Sequence, residues 1–434
     1  MVMLSRRASR RELKRPSVGH VMAWGSYAVI LLVAPLVFTS SLSQTLLSQM
    51  GIAIIVCLSY NMLLGHGGML SFGHAVYSGM GAFLAIHTLN RVTEGLALPV
   101  SLIPMVGGLA SMAVALLLGW VTTKKAATPF AMITLGIGEL VWAMALMFPD
   151  FFGGEAGVSG NRVAGGKPFG ITYGPQIQLC YLIAVYTFVC TVLMYAFTRT
   201  PLGRMLNAVR DNPERAEFVG YNPQMVRYMA FVIAAFFAGI SGGLAALNFE
   251  IVTSEVVSGY RSGAYLLFTF LGGATFFVGP IIGAILMVLA FVLLSEFTKA
   301  WLLYLGLSFL FMVMYAPGGV ASLIMMNLRL AMHGYLRRLW ASYLALGVTA
   351  LVALLGAAAM VEMLYHLQLN TALGPELPFM GATLNAKGLN SWFGAAFVML
   401  TGWSLFELCR RQFVQDWGEI QGQIEKEIKR REVP

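Results

Sequence analysis

Apolar residues in this chain come in blocks of about 20, the length a helix needs to cross a hydrocarbon core about 30 Å thick. Polar segments separate one block from the next. The blocks fall near 23–40, 44–64, 69–89, 98–121, 127–147, 177–197, 228–248, 278–296, 299–318, 340–362 and 391–409. A shorter apolar piece, 263–275, fits a half helix or a re-entrant turn and brings the expected total to 11 or 12 spans. The 434 residues are 58% hydrophobic and 11% charged, with mean hydropathy +0.76, where an ordinary soluble domain carries about 25% charged residues. Too little polar surface remains to cover a water-soluble globule, so the expected solvent is lipid. The expected fold is all-α: a polytopic transmembrane helical bundle with broken or re-entrant glycine-rich segments.

The basic residues orient the spans. Lys and Arg collect on the cytoplasmic side of membrane helices. With the N-terminus inside, 22 of the 28 lie in inner segments: 1–22, Lys124 and Lys125, 199–227, 326–339 and 410–434. The others are Arg91, Arg162, Lys167, Arg261, Lys299 and Lys387, most of them in outer loops. Both termini are therefore expected in the cytoplasm, and the net charge of +9 is an orientation signal that offers no argument for nucleic acid as a partner. Parity favours 263–275 as a crossing, since an odd number of spans between 249 and 326 returns Arg337 and Arg338 to the inside. Arg6, Arg7, Arg10, Arg11, Lys14 and Arg15 precede the first apolar run. No small-residue cleavage site follows and a second apolar block begins almost at once, so an uncleaved first helix is expected.

Four regions are expected: a basic segment 1–22, a permeation core 23–325, a basic linker with two further spans 326–409, and a polar tail 410–434. In the tail Phe413, Trp417, Ile420, Ile424 and Ile428 form a helical stripe, suited to the inner membrane face or to a cytoplasmic partner. Gly239 with Gly243, and Gly279 with Gly283, have the G-x-x-x-G spacing of close helix contact. A weak echo relates Gly67-Gly68, Phe72 and Gly73 to Gly272-Gly273, Phe277 and Gly279.

Catalytic machinery has no foothold here. The six histidines form no cluster with carboxylates, and His66 and His74 flank a glycine run with no carboxylate nearby in sequence. Cys57, Cys180, Cys190 and Cys409 lie in or beside apolar blocks without paired spacing and read as packing residues. No G-x-x-x-x-G-K-[ST] phosphate loop occurs, and the nearest approach, Gly165-Gly166-Lys167, runs into Pro168. Any nucleotide-driven step must be carried by another subunit.

Three places carry the polar signals of a solute path. Glu139 lies mid-span, where a charge costs roughly 3 kcal/mol, so it is expected to face the bundle interior and find a partner, in a structural role or beside the path. Asn61, Tyr60 and Ser71 are polar in or next to apolar blocks, and Asn61 is expected to bond a neighbouring helix or broken backbone. Between Ser59 and Ala75, the glycines Gly65, Gly67, Gly68 and Gly73 punctuate an expected helix end, which suits an unwound connection tolerated only beside protein or a water-filled cavity, or else a tight turn. The inner loop 199–227 holds the other signal. Pro213 and Glu214 suit the first turn of a short helix and Gly220 its end, an element suited to docking a moving partner, or else a solvated loop.

These segments closely resemble the permease subunits of branched-chain amino-acid ABC importers of the LivM type. The resemblance runs through LSYNMLLGHGGMLSFGHAVYSGMGAF (58–83), TPFAMITLGIGELVWAM (128–144), FFGGEAGVSG (151–160), RTPLGRMLNAVRDNPERAEFVGYN (199–222), FVIAAFFAGISGGLAA (231–246), LGGATFFVGPIIGA (271–284) and MYAPGGVASL (314–323). It implies a bacterial inner-membrane importer with a second homologous permease, two cytoplasmic ATPase subunits and a periplasmic solute-binding protein, with no cofactor on this chain and ATP on the partner subunits. It implies a path bordered by Asn61, Gly65, His66, Gly67, Gly68, Ser71, Gly73 and Glu139. The loop resembles the family's coupling segment, with Gly203, Arg204, Arg210, Asp211, Glu214, Ala216 and Gly220 in it and Arg210, Glu214, Ala216 and Gly220 on the ATPase. Outer loops near 149–176 would meet the binding protein. Related permeases for urea, amides or other small acids are similar, and an ion-coupled secondary transporter is the rival of another fold. The chain departs from the resemblance after about 325, where many relatives stop.

Overall fold

A computed structural model describes residues 18–164, 171–332, 336–369, 374–379 and 381–432. The basic residues before 18 and the Gly165-Gly166-Lys167-Pro168 stretch lie outside the described residues, as do the side chains of Ile420, Ile424 and Ile428. Seventeen α-helices and two short two-stranded antiparallel sheets are described. The chain is all-α in architecture, a polytopic helical bundle.

Eight helical stretches among the described residues are long and apolar enough to cross a membrane: Ser41–His66, Val100–Thr122, Thr128–Met147, Gln176–Arg199, Pro223–Phe249, Gly279–Phe297, Leu339–Leu369 and Leu389–Glu419. Trp301–Tyr315 and Gly319–Leu328, bent by 54°, make a ninth when taken as one span. Every expected span nonetheless coincides with a helix. Those outside the eight are short, like Val21–Val37, or interrupted by polar residues, like His74–Thr93 with its Ser78, His87, Asn90 and Arg91. Gly259–Gly272 has 14 residues, about 21 Å of helix, and falls short of a core of about 30 Å.

The chain forms two compact units, one of the residues up to Leu63 with Met69–Ser262, the other of Leu64–Gly68 with the chain from Gly263. In chain order the first contains α1 (Val18–Val37), α2 (Ser41–Asn61), α3 (His74–Thr93), α4 (Ile103–Thr122), α5 (Thr128–Met147), the short α6 (Pro149–Phe152), α7 (Gln176–Arg199), α8 (Pro201–Asp211), α9 (Pro213–Phe218) and α10 (Pro223–Phe249). At its centre is α10, buried on nearly every side, as a helix apolar all round must be when it is not lipid-exposed. Glycine makes this packing possible. A methyl group at Gly239 would stand 2.5 Å from Gly107 O of α4, and one at Gly81 of α3 2.5 Å from Gly239 O. Backbones thus meet where any larger side chain would hold them apart. Tyr77 and Phe130 set their rings edge-on to Phe231, with centroids 5.1 and 6.0 Å away. β1 (Val158–Ser159) pairs with β2 (Ile251–Val252), Val158 opposite Val252, and joins the 149–164 loop to the end of α10.

α11 (Gly259–Gly272) leads from the first unit into the second, which holds α12 (Gly279–Leu289), the one-turn α13 (Ser295–Phe297), α14 (Trp301–Tyr315), α15 (Gly319–Met332), α16 (Leu336–Leu369) and α17 (Leu389–Glu432). α11 and α12 meet across a tight break: Gly273 has φ +113° and a methyl at Gly272 would stand 2.6 Å from Gly283 N. Both glycine runs related by the sequence echo are therefore breaks between helices. α16 and α17 pack as a hairpin. A methyl at Gly356 would stand 2.7 Å from Met399 Cα, and one at Gly402 2.7 Å from Ala353 Cα. β3 (Glu376–Phe379) and β4 (Ala382–Asn385) close the far end over Met363, Leu367 and Trp392. α17 continues without interruption from an apolar half into the polar tail. The tail is thus the helical extension of a spanning helix.

Candidate functional site

α2 ends at Asn61 and passes into a wider π-type turn, Met62–His66, before the backbone becomes irregular and α3 starts at His74. The unwound connection is therefore present. Gly68 adopts φ +62°, a left-handed conformation that costs other L-residues about 1–2 kcal/mol. Gly73 packs against the backbone of α5 at Thr134 O, where a Cβ has no room.

The freed backbone groups are held by side chains from three helices. Tyr60 of α2 donates its hydroxyl to Ser71 O at 2.8 Å. Phe72 N–H donates to Thr134 Oγ1 of α5 at 3.1 Å. Ala75 N–H donates to Ser262 Oγ of α11 at 3.0 Å. The Ser59 hydroxyl proton is directed to Val56 O at 2.8 Å, so His74 donates from Nε2 to Ser59 Oγ at 2.9 Å and its Nδ1 is left as an acceptor. Asn61 Oδ1, Ser71 Oγ and His74 Nδ1 are buried with no hydrogen-bond partner among the described residues. Each such orphan costs about 1–3 kcal/mol. The expected bond to the Asn61 carbonyl oxygen is absent among the described residues. Gly68 is exposed and Gly65 and His66 are half-buried, whereas Gly67, Ser71, Gly73 and His74 are buried.

Glu139 departs from expectation. It is exposed in this chain and does not face the interior. The buried face of α5 is Phe130, Ala131, Thr134, Gly138, Val141 and Ala145, and Glu139 stands one residue off that stripe. Its carboxylate lies over the first turn of α11, where a methyl at Gly259 would come 2.8 Å from Oε1. The free N–H groups of a helix start favour negative charge there.

The loop after α7 folds into two helices where the sequence indicates one. Thr200 caps α8, accepting Gly203 N–H at 3.2 Å, and Asn212 caps α9, accepting Arg215 N–H at 2.9 Å. Such caps are worth about 1 kcal/mol each. Gly220 closes α9 with φ +92° and its N–H on Glu217 O at 2.8 Å. Gly203, Leu206, Val209 and Ala216 face into the chain, Gly203 against Phe197 O. Ala216, expected to touch a partner, is buried by its own chain, because it sits on the side of α9 that packs inward. Arg204, Arg210, Asp211, Glu214 and Gly220 are exposed, and Arg210 pairs with Asp211 at 2.9 Å. Sequence reasoning overlooks Phe218 and Val219, 91% and 70% exposed. Their signal is an aromatic and a branched residue placed where α9 has run out of buried positions. It also overlooks Arg162, described below.

Spanning-length helices around a braced, glycine-rich break, with a folded polar loop after α7, are those of a polytopic membrane protein. The family described as branched-chain amino acid transport system, permease component, matches residues 42–317, and this chain belongs to that family. Similar proteins include the high-affinity branched-chain amino acid transport system permease protein LivM of Escherichia coli, 28% identical over 302 residues, covering 64% of this chain and 70% of that one. LivM of Salmonella typhimurium is 27% identical over the same shares. The galactose/methyl galactoside import permease protein MglC of Escherichia coli is 24% identical, covering 65% of this chain and 88% of its own. No solved structure matches. The chain is thus a multi-pass inner-membrane permease component of an ABC-type importer, a transport subunit and not an enzyme. α16, the β3–β4 hairpin and α17 lie beyond the family match.

Proposed function

We propose that this chain is a permease subunit of an ATP-driven importer for leucine, isoleucine and valine, working with a second homologous permease, two cytoplasmic ATPase subunits and a periplasmic solute-binding protein. The carrying observation is the family match over 42–317, which takes in both the break at 61–74 and the loop 199–222. The LivM relatives favour branched-chain amino acids over the sugar named for MglC, by identity and rank of likeness.

In this reading the solute passes the break. Asn61, Ser71 and His74 hold polar atoms without partners, and the exposed Gly68 with half-buried Gly65 and His66 marks where the segment reaches the surface of the chain. Glu139 borders the path from α5, with Gly67 and Gly73 allowing close backbone approach. No cofactor is needed on this chain, since ATP is hydrolysed by the partners. The α8–α9 loop receives that work through Arg204, Arg210, Asp211 and Glu214, with Gly203, Ala216 and Gly220 shaping it from within. A partner's energy moves the permease only as far as this contact differs between the two states. With the termini and this loop inside, the 149–176 loop faces the binding protein.

Uptake of radiolabelled leucine by cells carrying the full importer tests the reading. Arg210→Glu with Glu214→Lys is expected to cut uptake at least about tenfold while the protein still inserts, because exposed charges contribute little to stability. Normal uptake in that variant refutes the coupling role. Galactose that competes with leucine as well as isoleucine does refutes the solute assignment.

A further inference from the structure

Arg162 is the most heavily bonded side chain among the described residues of the 149–176 loop. It is buried, at 9% exposure. Nε donates to Tyr173 O at 2.8 Å, Nη1 to Leu247 O at 3.1 Å and Asn248 O at 3.3 Å, and Nη2 to Gly174 O and Gln176 Oε1, both at 3.3 Å. All of these acceptors are neutral. The charge is balanced by the last carbonyls of α10, the orphan end of a helix whose dipole favours a cation. The Arg162 backbone N–H donates to Glu250 Oε1 at 2.9 Å. The planar fork of guanidinium suits this set of acceptors, and the single ammonium of lysine does not.

The bonding continues away from the loop. Gln176 donates to Asn248 Oδ1 at 3.0 Å and Ser48 Oγ at 3.3 Å, Gly160 N–H donates to Glu250 O at 2.9 Å, and Asn90 of α3 donates to Ser159 O at 3.0 Å. From Glu250 a strap of 13 residues, 250–262, runs through β2 and the 3₁₀ turn Ser254–Val257 to Ser262. It has no slack. Val252 pairs with Val158, a methyl at Gly79 of α3 would stand 3.1 Å from Val256 O, and Gly259 abuts Glu139. The strap ends where Ser262 Oγ holds Ala75 N–H at 3.0 Å, at the exit of the break.

We propose that Arg162 is a positioning residue for transport: it locks the outer loop to the end of α10 and, through the 250–262 strap and Ser262, sets the break at Ala75, so that a protein docking outside acts on the path. This rests on the reading above, in which a binding protein meets the 149–176 loop. Chains of packed and hydrogen-bonded groups of this kind carry couplings worth about 2- to 30-fold.

The test uses the complete importer in nanodiscs, with its ATPase subunits, and adds leucine-loaded binding protein. Basal and stimulated ATP hydrolysis are measured for the native complex, Arg162→Gln, Ser262→Ala and the control Arg91→Gln, whose exposed pair with Glu94 stands outside this chain of contacts. Arg162→Gln and Ser262→Ala are expected to keep basal hydrolysis and lose about 3- to 30-fold of the stimulation, while Arg91→Gln keeps both. Native stimulation in Arg162→Gln and Ser262→Ala overturns the proposal, and so does an equal fall in basal and stimulated rates, the mark of a merely structural role. Where Arg162→Gln does not assemble, the milder Ser262→Ala decides by the same criterion. A native complex that no loaded binding protein stimulates refutes instead the assignment on which the proposal rests.

Discussion

Gly73 and Gly68 serve the same break for different reasons, and their substitutions separate them. At Gly73 a Cβ collides with backbone, Thr134 O, and neither side can rotate away. At Gly68 the obstacle is the left-handed φ. Gly68→Ala is expected to cost about 1 kcal/mol, and Gly73→Ala up to about 3 kcal/mol, with the order read from thermal unfolding in detergent. Equal losses would contradict the geometry. Phe218 is the converse case. At 91% exposure its loss changes stability by no more than about 0.5 kcal/mol. As an aromatic anchor its loss is expected to weaken ATPase association at least about tenfold, checked by co-purification at graded salt. Unchanged association would remove Phe218 from the contact. The glycines are legible from their density at an expected helix end, but what Gly73 touches depends on α5, far off in sequence. The direction of Glu139, exposed in this chain, is not legible, because depth in a span is visible in sequence and direction is not. In lipid both faces of α5 are apolar, so no polar stripe marks the outside. The small residues Ala131, Thr134, Gly138 and Ala145 do mark the packed face, at helical spacing.

At the scale of elements, each apolar block became a helix because a backbone in hydrocarbon has no other partner for its polar groups. The same rule made the break expensive and explains its bracing by Tyr60, Thr134 and Ser262. The split of the 199–222 loop into α8 and α9 was only half legible. Pro213 and Gly220 framed α9, whereas the buried Gly203, Leu206 and Val209 of α8 were obscured by the charges between them. The hairpin of α16 and α17 carries its own polar link. Glu362 of α16 accepts hydrogen bonds from Thr298 and from Tyr304 of α14, the latter at 3.3 Å. Glu362→Leu is expected to lower the unfolding free energy by about 1 kcal/mol, within the range for polar bonds between membrane helices, while Glu362→Gln keeps an acceptor and most of the stability. Equal thermal shifts for the two would show that the hydrogen bonds contribute nothing.

For the whole molecule, the sequence carried architecture further than direction. Composition and block length lead to a lipid-embedded bundle, and the family match covers 42–317. The side of the membrane on which the loops lie rests on the distribution of lysine and arginine, and the drive from ATP rests on the loop after α7 facing inward. Val219→Cys, 70% exposed beside Phe218, in a Cys409→Ser background where Cys57, Cys180 and Cys190 are buried, tests this with a membrane-impermeant maleimide. The thiol should escape labelling in intact spheroplasts, react in inverted vesicles stripped of the ATPase subunits, and be protected when those subunits are restored. Labelling of intact spheroplasts, or no protection on restoring the ATPase, would contradict a permease driven through this loop.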